Sequence, residues 1–295
     1  MNSIYRFARQ ILTVAKLRPY AAAADCFLVS FPKSGRTWLR YLLSHYFAHL
    51  HDESGTVDLV SMFSVLPNFD VDPVRGIPAF RLRFDDLRTP RVWVTHLGYD
   101  RKLFLDKPAI MIVRDPRDVI VSAYFHATRH KHNFDGDILE FIGHASLGAP
   151  VMCRYLNGWA KGISERRSHV LSFEALVEDP VSELVTTLQF LGLPIVPSAV
   201  EAAVAAGDFR TMQALEKRQG IPGHSYDRND PDSLRMRRGV PGGYVDYLDA
   251  DALAELDRIC ERDLTSAARA LLHPGQRGAQ PGSIAVRATV ATADG

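Results

Sequence analysis

The sequence predicts a single α/β domain built on a central parallel sheet flanked by helices, with a phosphate-binding strand-loop-helix at one edge of the site. Two patterns carry this expectation. Short apolar runs alternate with stretches of helical period, the order produced by parallel strands joined through crossover helices. One apolar run leads through a Gly-containing turn into a helix start at Phe31-Pro32-Lys33-Ser34-Gly35-Arg36-Thr37-Trp38. Composition agrees: 295 residues, 46% hydrophobic and 23% charged, with 20 Gly and 17 Pro, exclude disordered, collagen-like and fibrous chains and allow a substantial core.

Residues 1–24 hold Arg6, Arg9, Lys16 and Arg18 but no acid, with Ile4, Phe7, Ile11, Leu12 and Val14 at roughly helical spacing. A surface helix packed on the domain is the expectation, and peripheral contact of residues 1–20 with an anionic membrane is the alternative. Arg9, Gln10 and Lys16 interrupt any apolar core of a secretory signal. Strands are expected at Cys26 to Phe31, Val92 to Thr95, Ala109 to Val113 and His169 to Phe173, and helices at Thr37 to His49, Asp118 to Thr128, Val181 to Leu191 and Ala250 to Leu272. Between them, Asp52 to Arg91, Lys131 to Pro150 and Glu216 to Arg235 read as irregular insertions that face a substrate. The domain proper is expected over 25–274, and 275–295, rich in Gly, Ala and Thr, as a disordered tail.

The balance of 35 basic against 34 acidic residues gives no electrostatic case for a nucleic-acid partner. Cys26, Cys153 and Cys260 are odd in number and widely spaced, which suggests neither a disulfide framework nor a metal cluster and points to a reducing, cytoplasmic setting. No apolar run approaches the ~18 to 20 residues of a membrane span.

The turn at Lys33 to Trp38 makes an anion site, because the first N–H groups of the following helix are unpaired and its dipole favours negative charge. Lys33, Ser34, Arg36 and Thr37 add donors. A plain capped helix start, with Ser34 or Thr37 as the cap, is the bland reading. The nucleoside triphosphate loop is not matched, since it needs two glycines ahead of its Lys. A second segment, Arg114-Asp115-Pro116-Arg117-Asp118, leaves a strand at its carboxyl end, where open α/β sheets bind ligands. Asp115 and Arg117 are also what a network tying strand to helix would need. A third, Arg237-Arg238-Gly239-Val240-Pro241-Gly242-Gly243-Tyr244, sets two cations beside a glycine that can bring backbone N–H groups to a phosphate.

These segments, in this order, resemble the sulfotransferases that use 3'-phosphoadenosine 5'-phosphosulfate. Their 5'-phosphosulfate loop reads Pro-Lys-Ser-Gly-Thr-Thr-Trp, and only Arg36 departs. The resemblance covers about residues 25–250. It implies that Lys33, Ser34, Gly35, Arg36, Thr37 and Trp38 hold the 5' end of the donor, and that Arg114, Ser122, Arg237, Arg238 and Gly239 hold its 3'-phosphate. It also implies that Phe173 lies by the adenosine and that Trp38 and Phe209 sandwich the purine, with Met212 in the same segment as Phe209. Gly243 and Tyr244 stand where the family has Asp and Trp.

Sulfuryl transfer needs a base for the acceptor hydroxyl and positive charge at the leaving oxygen. His96, at the end of the expected strand Val92 to Thr95, matches the family's base, and Lys33 is the second catalytic candidate. Val94 stands where many members have Lys, and Gly98 where many have Pro, which leaves the second cation of the active centre open. His126 and His130 have a spacing that metal ligands use on a helix, but no acid lies between them, so a solvated or substrate-lining face is preferred and no metal is expected. With His132 they cluster past the second segment. The implied activity moves a sulfuryl group to a hydroxyl or amine of a small-molecule, lipid or glycan acceptor, without a metal. An ATP-dependent phosphotransferase and a nucleotide-binding protein without catalysis are the alternatives, and the oligomeric state is not readable.

Overall fold

A computed structural model of the chain describes residues 15–51, 57–81 and 89–274. Four strands, β1 (Cys26–Val29), β2 (Val92–Thr95), β3 (Ala109–Val113) and β4 (Ser168–Ser172), form one sheet in the order β2-β1-β3-β4. Every pairing is parallel, with Phe27 opposite Trp93 and Ala109, and Met111 opposite Val170. All residues of β1, β2 and β3 are buried, which is why these strands read as continuous apolar runs rather than alternating ones.

Helices cover both faces. Phe27, Val29, Met111 and Val113 point into one core with Val119, Tyr155, Trp159 and Leu256. Leu28, Val94, Ile110 and Ile112 point into the other with Leu39, Leu43, Leu184 and Val200. The helices concerned are α1 (Arg36–Leu50), α2 (Pro116–Phe125), α3 (Ile138–Gly143), α4 (Ala149–Ser164), α5 (Phe173–Glu178), α6 (Pro180–Leu191), α7 (Pro197–Ala206), α8 (Phe209–Gln219), α9 (Ala250–Asp263) and α10 (Ser266–Leu271).

The predicted strands and the first, second and third helices are present, with informative differences at their ends. Phe173 opens α5 rather than closing β4, because the Ser172 hydroxyl accepts from the Ala175 N–H and caps a helix there. The helix expected over Ala250 to Leu272 breaks in two. Thr265 caps α10, and Asn157 Oδ1 accepts from both its N–H and its hydroxyl, so the chain is turned by a neighbouring helix. Helices α3, α4, α7 and α8 lie outside the four helical patterns expected from the sequence. α2 passes into a single π turn, His126–His130. The expected amphipathic segment 1–24 is helical over 15–23; its first fourteen residues, like the tail 275–295, lie outside the described residues. Among the described residues no helix is long and apolar enough to cross a membrane.

Candidate active site

The carboxyl ends of β1, β2 and β3 open onto a cavity of about 960 Å³. The turn after β1 enters it through two left-handed residues, Lys33 at φ 73° and Gly35 at φ 91°. Gly35 is required twice over, since a Cβ there would also sit 2.4 Å from Phe173 Cδ2. α1 then begins without a side-chain cap, so its first N–H groups remain available to an anion.

The second segment is tied to the first. Arg114 Nη1 donates to the Lys33 carbonyl at 3.3 Å, and its guanidinium stacks 4.3 Å over the Phe173 ring. Its Nη2 lies 3.5 Å from Asp118 Oδ2, while Nε is buried without a partner. Asp118, only 3% exposed, accepts from the N–H groups of Gly242 and Tyr244 at 2.8 and 3.0 Å. One carboxylate thus joins the second and third segments. Asp115 caps α2 and grips Arg117 through both carboxylate oxygens, so these two residues tie the end of β3 to the start of α2.

In the third segment Arg237 donates to the Tyr247 hydroxyl at 2.7 Å and lies 4.2 Å over the Phe125 ring. Arg238 pairs with Asp246 at the surface. Gly239, at φ 70°, lets the chain lie against Phe209; a Cβ there would be 2.3 Å from that ring. Trp38 Nε1 donates to the Gly207 carbonyl at 2.8 Å, and its ring meets Phe173 edge-on.

Lys33, Gly35, Arg36, Thr37 and Trp38 line the cavity, as do Arg114, Ser122 and Phe173. Phe209, Met212, Arg237, Arg238, Gly239 and His96 complete the predicted set. Ser34 is the exception: its side chain is buried and forms no part of the wall. Phe173 is packed between Gly35 and Arg114, so it shapes the loop as well as facing the cavity.

His96 follows β2, and its Nδ1 is 2.7 Å from the Ser30 carbonyl. A carbonyl only accepts, so Nδ1 carries the proton and Nε2 keeps a free lone pair. Burial, then the Arg36 cation and further Arg235 and Arg40, hold the imidazole well below its ordinary pKa, against the pull of Ser30. Val94 is fully buried in the core. The charge beside His96 therefore comes from α1 and from Arg235. Burial, together with Arg235, Arg114 and Arg237, pushes Lys33 down to about 7, with Glu216 opposing.

Several residues that sequence patterns did not single out complete the wall: Arg40, Arg75, His224 and Arg235. Arg40 had one readable signal, its position four residues after Arg36 among the apolar positions of α1. Behind the wall, Glu216 is fully buried and accepts from the Tyr226 hydroxyl and the N–H groups of Arg235 and Met236. The π turn brings the His126 and His130 rings to 4.4 Å, centre to centre, tilted by 33°. His130 Nδ1 donates to the Ser233 carbonyl, and its Nε2 meets His224 Nδ1 at 3.0 Å. Both rings are pushed down, His130 to about 4 and His224 to about 2, chiefly by burial. His132 takes no part in this cluster. Among the described residues no three His, Cys, Asp or Glu side chains are grouped to hold a metal ion.

Residues 23–268 match the family model described as the sulfotransferase domain. The 3-alpha-hydroxysteroid sulfotransferase of Cavia porcellus is 25% identical over 218 residues, 71% of this chain and 73% of that protein. Sulfotransferase 1 family member D1 of Rattus norvegicus is 27% identical over 211 residues, 68% and 70% of the two chains. Among solved structures, mouse sulfotransferase SULT7A1 complexed with PAP superposes with a TM-score of 0.58 at 20% identity, covering 88% of this chain and 93% of that one. Retinol dehydratase in a complex with retinol and PAP gives 0.59 at 19% identity, covering 83% and 82%. With its sheet order, its phosphate-type loop and a domain match over most of its length, the chain belongs to the sulfotransferase family.

Proposed function

We propose that the protein moves a sulfuryl group from 3'-phosphoadenosine 5'-phosphosulfate to a hydroxyl or amine of a small acceptor. The observation that carries this reading is the pairing, in one cavity, of a tautomer-locked His96 with the cationic loop at Lys33. The complexes of SULT7A1 and retinol dehydratase with PAP support the choice of nucleotide. The site fits such a donor on its own terms as well: an uncapped helix N-terminus at one end, and at the other Arg114 with an unpartnered buried Nε beside Arg237.

The donor supplies an electrophilic sulfur and a phosphate leaving group. In our assignment His96 Nε2 takes the proton from the acceptor as its oxygen or nitrogen bonds to sulfur. Lys33 and the N–H groups at the start of α1 neutralise the charge that collects on the phosphate oxygen as its bond to sulfur breaks. Arg114, Ser122, Arg237 and Arg238 hold the 3'-phosphate through charge-assisted hydrogen bonds. Trp38 and Phe209 flank the purine. Arg36 supplies the positive charge beside His96 that Val94 does not, which argues against a site that has lost its chemistry.

Incubating the protein with the donor and a panel of phenols, alcohols and amines tests the reading. Acceptor-dependent release of adenosine 3',5'-bisphosphate is expected. Donor binding without release for every acceptor would instead favour a nucleotide-binding protein without catalysis.

A further inference from the structure

The cavity holds more positive charge than its donor end requires. The donor carries a phosphosulfate and a 3'-phosphate, and Lys33, Arg114, Arg237 and Arg238 face them in the assignment above. Six further cations remain on the wall: Arg36, Arg40, Arg75, Lys131, Arg154 and Arg235. Among the described residues Asp70 is the one acid lining the cavity. Asp72 holds Arg75 Nη2 at 3.2 Å from outside the wall, and Glu216 is engaged by Tyr226 and two backbone N–H groups. This leaves the cluster with an excess of cations over acids.

The cluster is built rather than incidental. Arg40 is 3% exposed, on the inner face of α1, with Nη2 on Asn68 Oδ1 at 2.6 Å and its guanidinium 4.6 Å over the Phe63 ring. Arg75 Nη1 and Arg235 Nη2 converge on His224 Nε2 at 3.1 and 2.7 Å. His224 cannot neutralise them. His130 Nε2, with Nδ1 already donating to Ser233, can only accept from His224 Nδ1, which leaves His224 Nε2 as a neutral acceptor. The Nε atoms of Arg40, Arg75 and Arg235, and Nδ1 of His126, are buried with no hydrogen-bond partner. A buried guanidinium N–H without a partner is costly, and because Arg40, Arg75 and Arg235 each carry one and all line one cavity, the set favours an anionic ligand. The mutual influence of these groups agrees: Arg36 and Arg235 both act on His96, and Arg36, Arg235 and Arg75 on Arg40.

We propose that the acceptor half of the cavity takes a molecule bearing a fixed oxyanion, a carboxylate or phosphate ester, whose charge is held by Arg40, Arg75 and Arg235 while its hydroxyl is presented to His96. The proposal rests on the sulfuryl-transfer reading and adds to it the acceptor class. An apolar alcohol would dehydrate these guanidinium groups without offering them an anionic partner. An anionic one satisfies them and is oriented by them, with Arg forks suited to planar carboxylate and to phosphate alike.

The test compares matched small phenols by calorimetry, in protein saturated with adenosine 3',5'-bisphosphate and again without nucleotide. One arm sets 4-hydroxyphenylacetate against 4-hydroxyphenylacetamide; the other sets 4-hydroxyphenyl phosphate against 4-methoxyphenol. The anionic member of at least one pair is expected to bind tenfold tighter or better, and the arm in which it does identifies the anion. Arg75→Gln, on a partly exposed loop, and the near-isosteric Arg40→Met should each reduce that preference to about twofold or less while leaving bisphosphate affinity intact. The proposal is overturned if neither anionic member binds tighter than its neutral partner, or if the preference survives in both variants. Failure of the bisphosphate to bind would count against the donor reading separately, and the preference measured without nucleotide would still decide this one.

Discussion

Asp118 Oδ2 accepts a hydrogen bond from the Gly242 N–H at 2.8 Å, joining residues 124 positions apart. The same carboxylate takes the Tyr244 N–H and faces Arg114. The second phosphate-type segment and the basic glycine loop are therefore one structural unit, and the position of Arg237 and Arg238 depends on a buried acid in α2.

Replacing Asp118 with Ala should cost about 3 kcal/mol of stability, because Arg114 loses its buried counter-charge and two backbone donors lose their acceptor. Urea unfolding reads this directly. On the proposed donor assignment the same variant should also lose its preference for adenosine 3',5'-bisphosphate over adenosine 5'-monophosphate, and an unchanged preference would remove Asp118 from the 3'-phosphate site.

Gly35 combines φ 91° with a 2.4 Å approach to Phe173. Gly35→Ala should shift the loop and weaken bisphosphate binding by about tenfold or more, an effect of roughly 1.4 kcal/mol in affinity. Gly192, also at positive φ but with open space around it, is the control: Gly192→Ala should cost stability alone.

His96 is held well below its ordinary pKa by burial and by Arg36. It is neutral and ready to accept a proton throughout the physiological range. The rate of the bound complex should therefore stay level on the acid side to pH 6 instead of falling as an ordinary histidine protonates near 6.5. His96→Ala should lower turnover by about 10² to 10⁴ with bisphosphate affinity retained. Full activity in that variant would exclude His96 as the base.

Lys33, pushed down to about 7 from 10.5 by burial and by the neighbouring arginines, gives a linkage with a definite sign. Between these values the unfolded chain holds the proton and the free folded protein does not, so this residue makes stability rise with pH across that window. Binding an anion favours the ammonium. Below pH 7 no proton need be taken up; at pH 8 one must be, and affinity falls as pH rises. Calorimetry of bisphosphate binding in buffers of different ionisation enthalpy at pH 8 should show net proton uptake, absent in Lys33→Ala.

The sheet was readable because each strand is an apolar run, buried on both faces, and the loop because Lys33, Ser34, Gly35 and Thr37 stand together at a strand-to-helix junction. What could not be read came from direction. Arg235 lies two residues before the basic loop, in an irregular stretch where no period says which side chains turn inward. Arg75 and His224 meet across 149 residues, a distance no local pattern spans. α4 begins at Gly148 and Pro150, inside the irregular stretch Lys131 to Pro150, and α7 begins at Pro197, where Pro194 and Pro197 break the local pattern. The break at Thr265 was invisible because its cause, Asn157, lies on another helix.

The central claim is a metal-independent site for a 3',5'-bisphosphorylated adenosine. Calorimetry with adenosine 3',5'-bisphosphate and with ATP, each with and without magnesium, tests it most directly. The account predicts that the bisphosphate binds equally well in both conditions and much more tightly than ATP. Preference for ATP that appears with magnesium would contradict it and make phosphoryl transfer the leading reading.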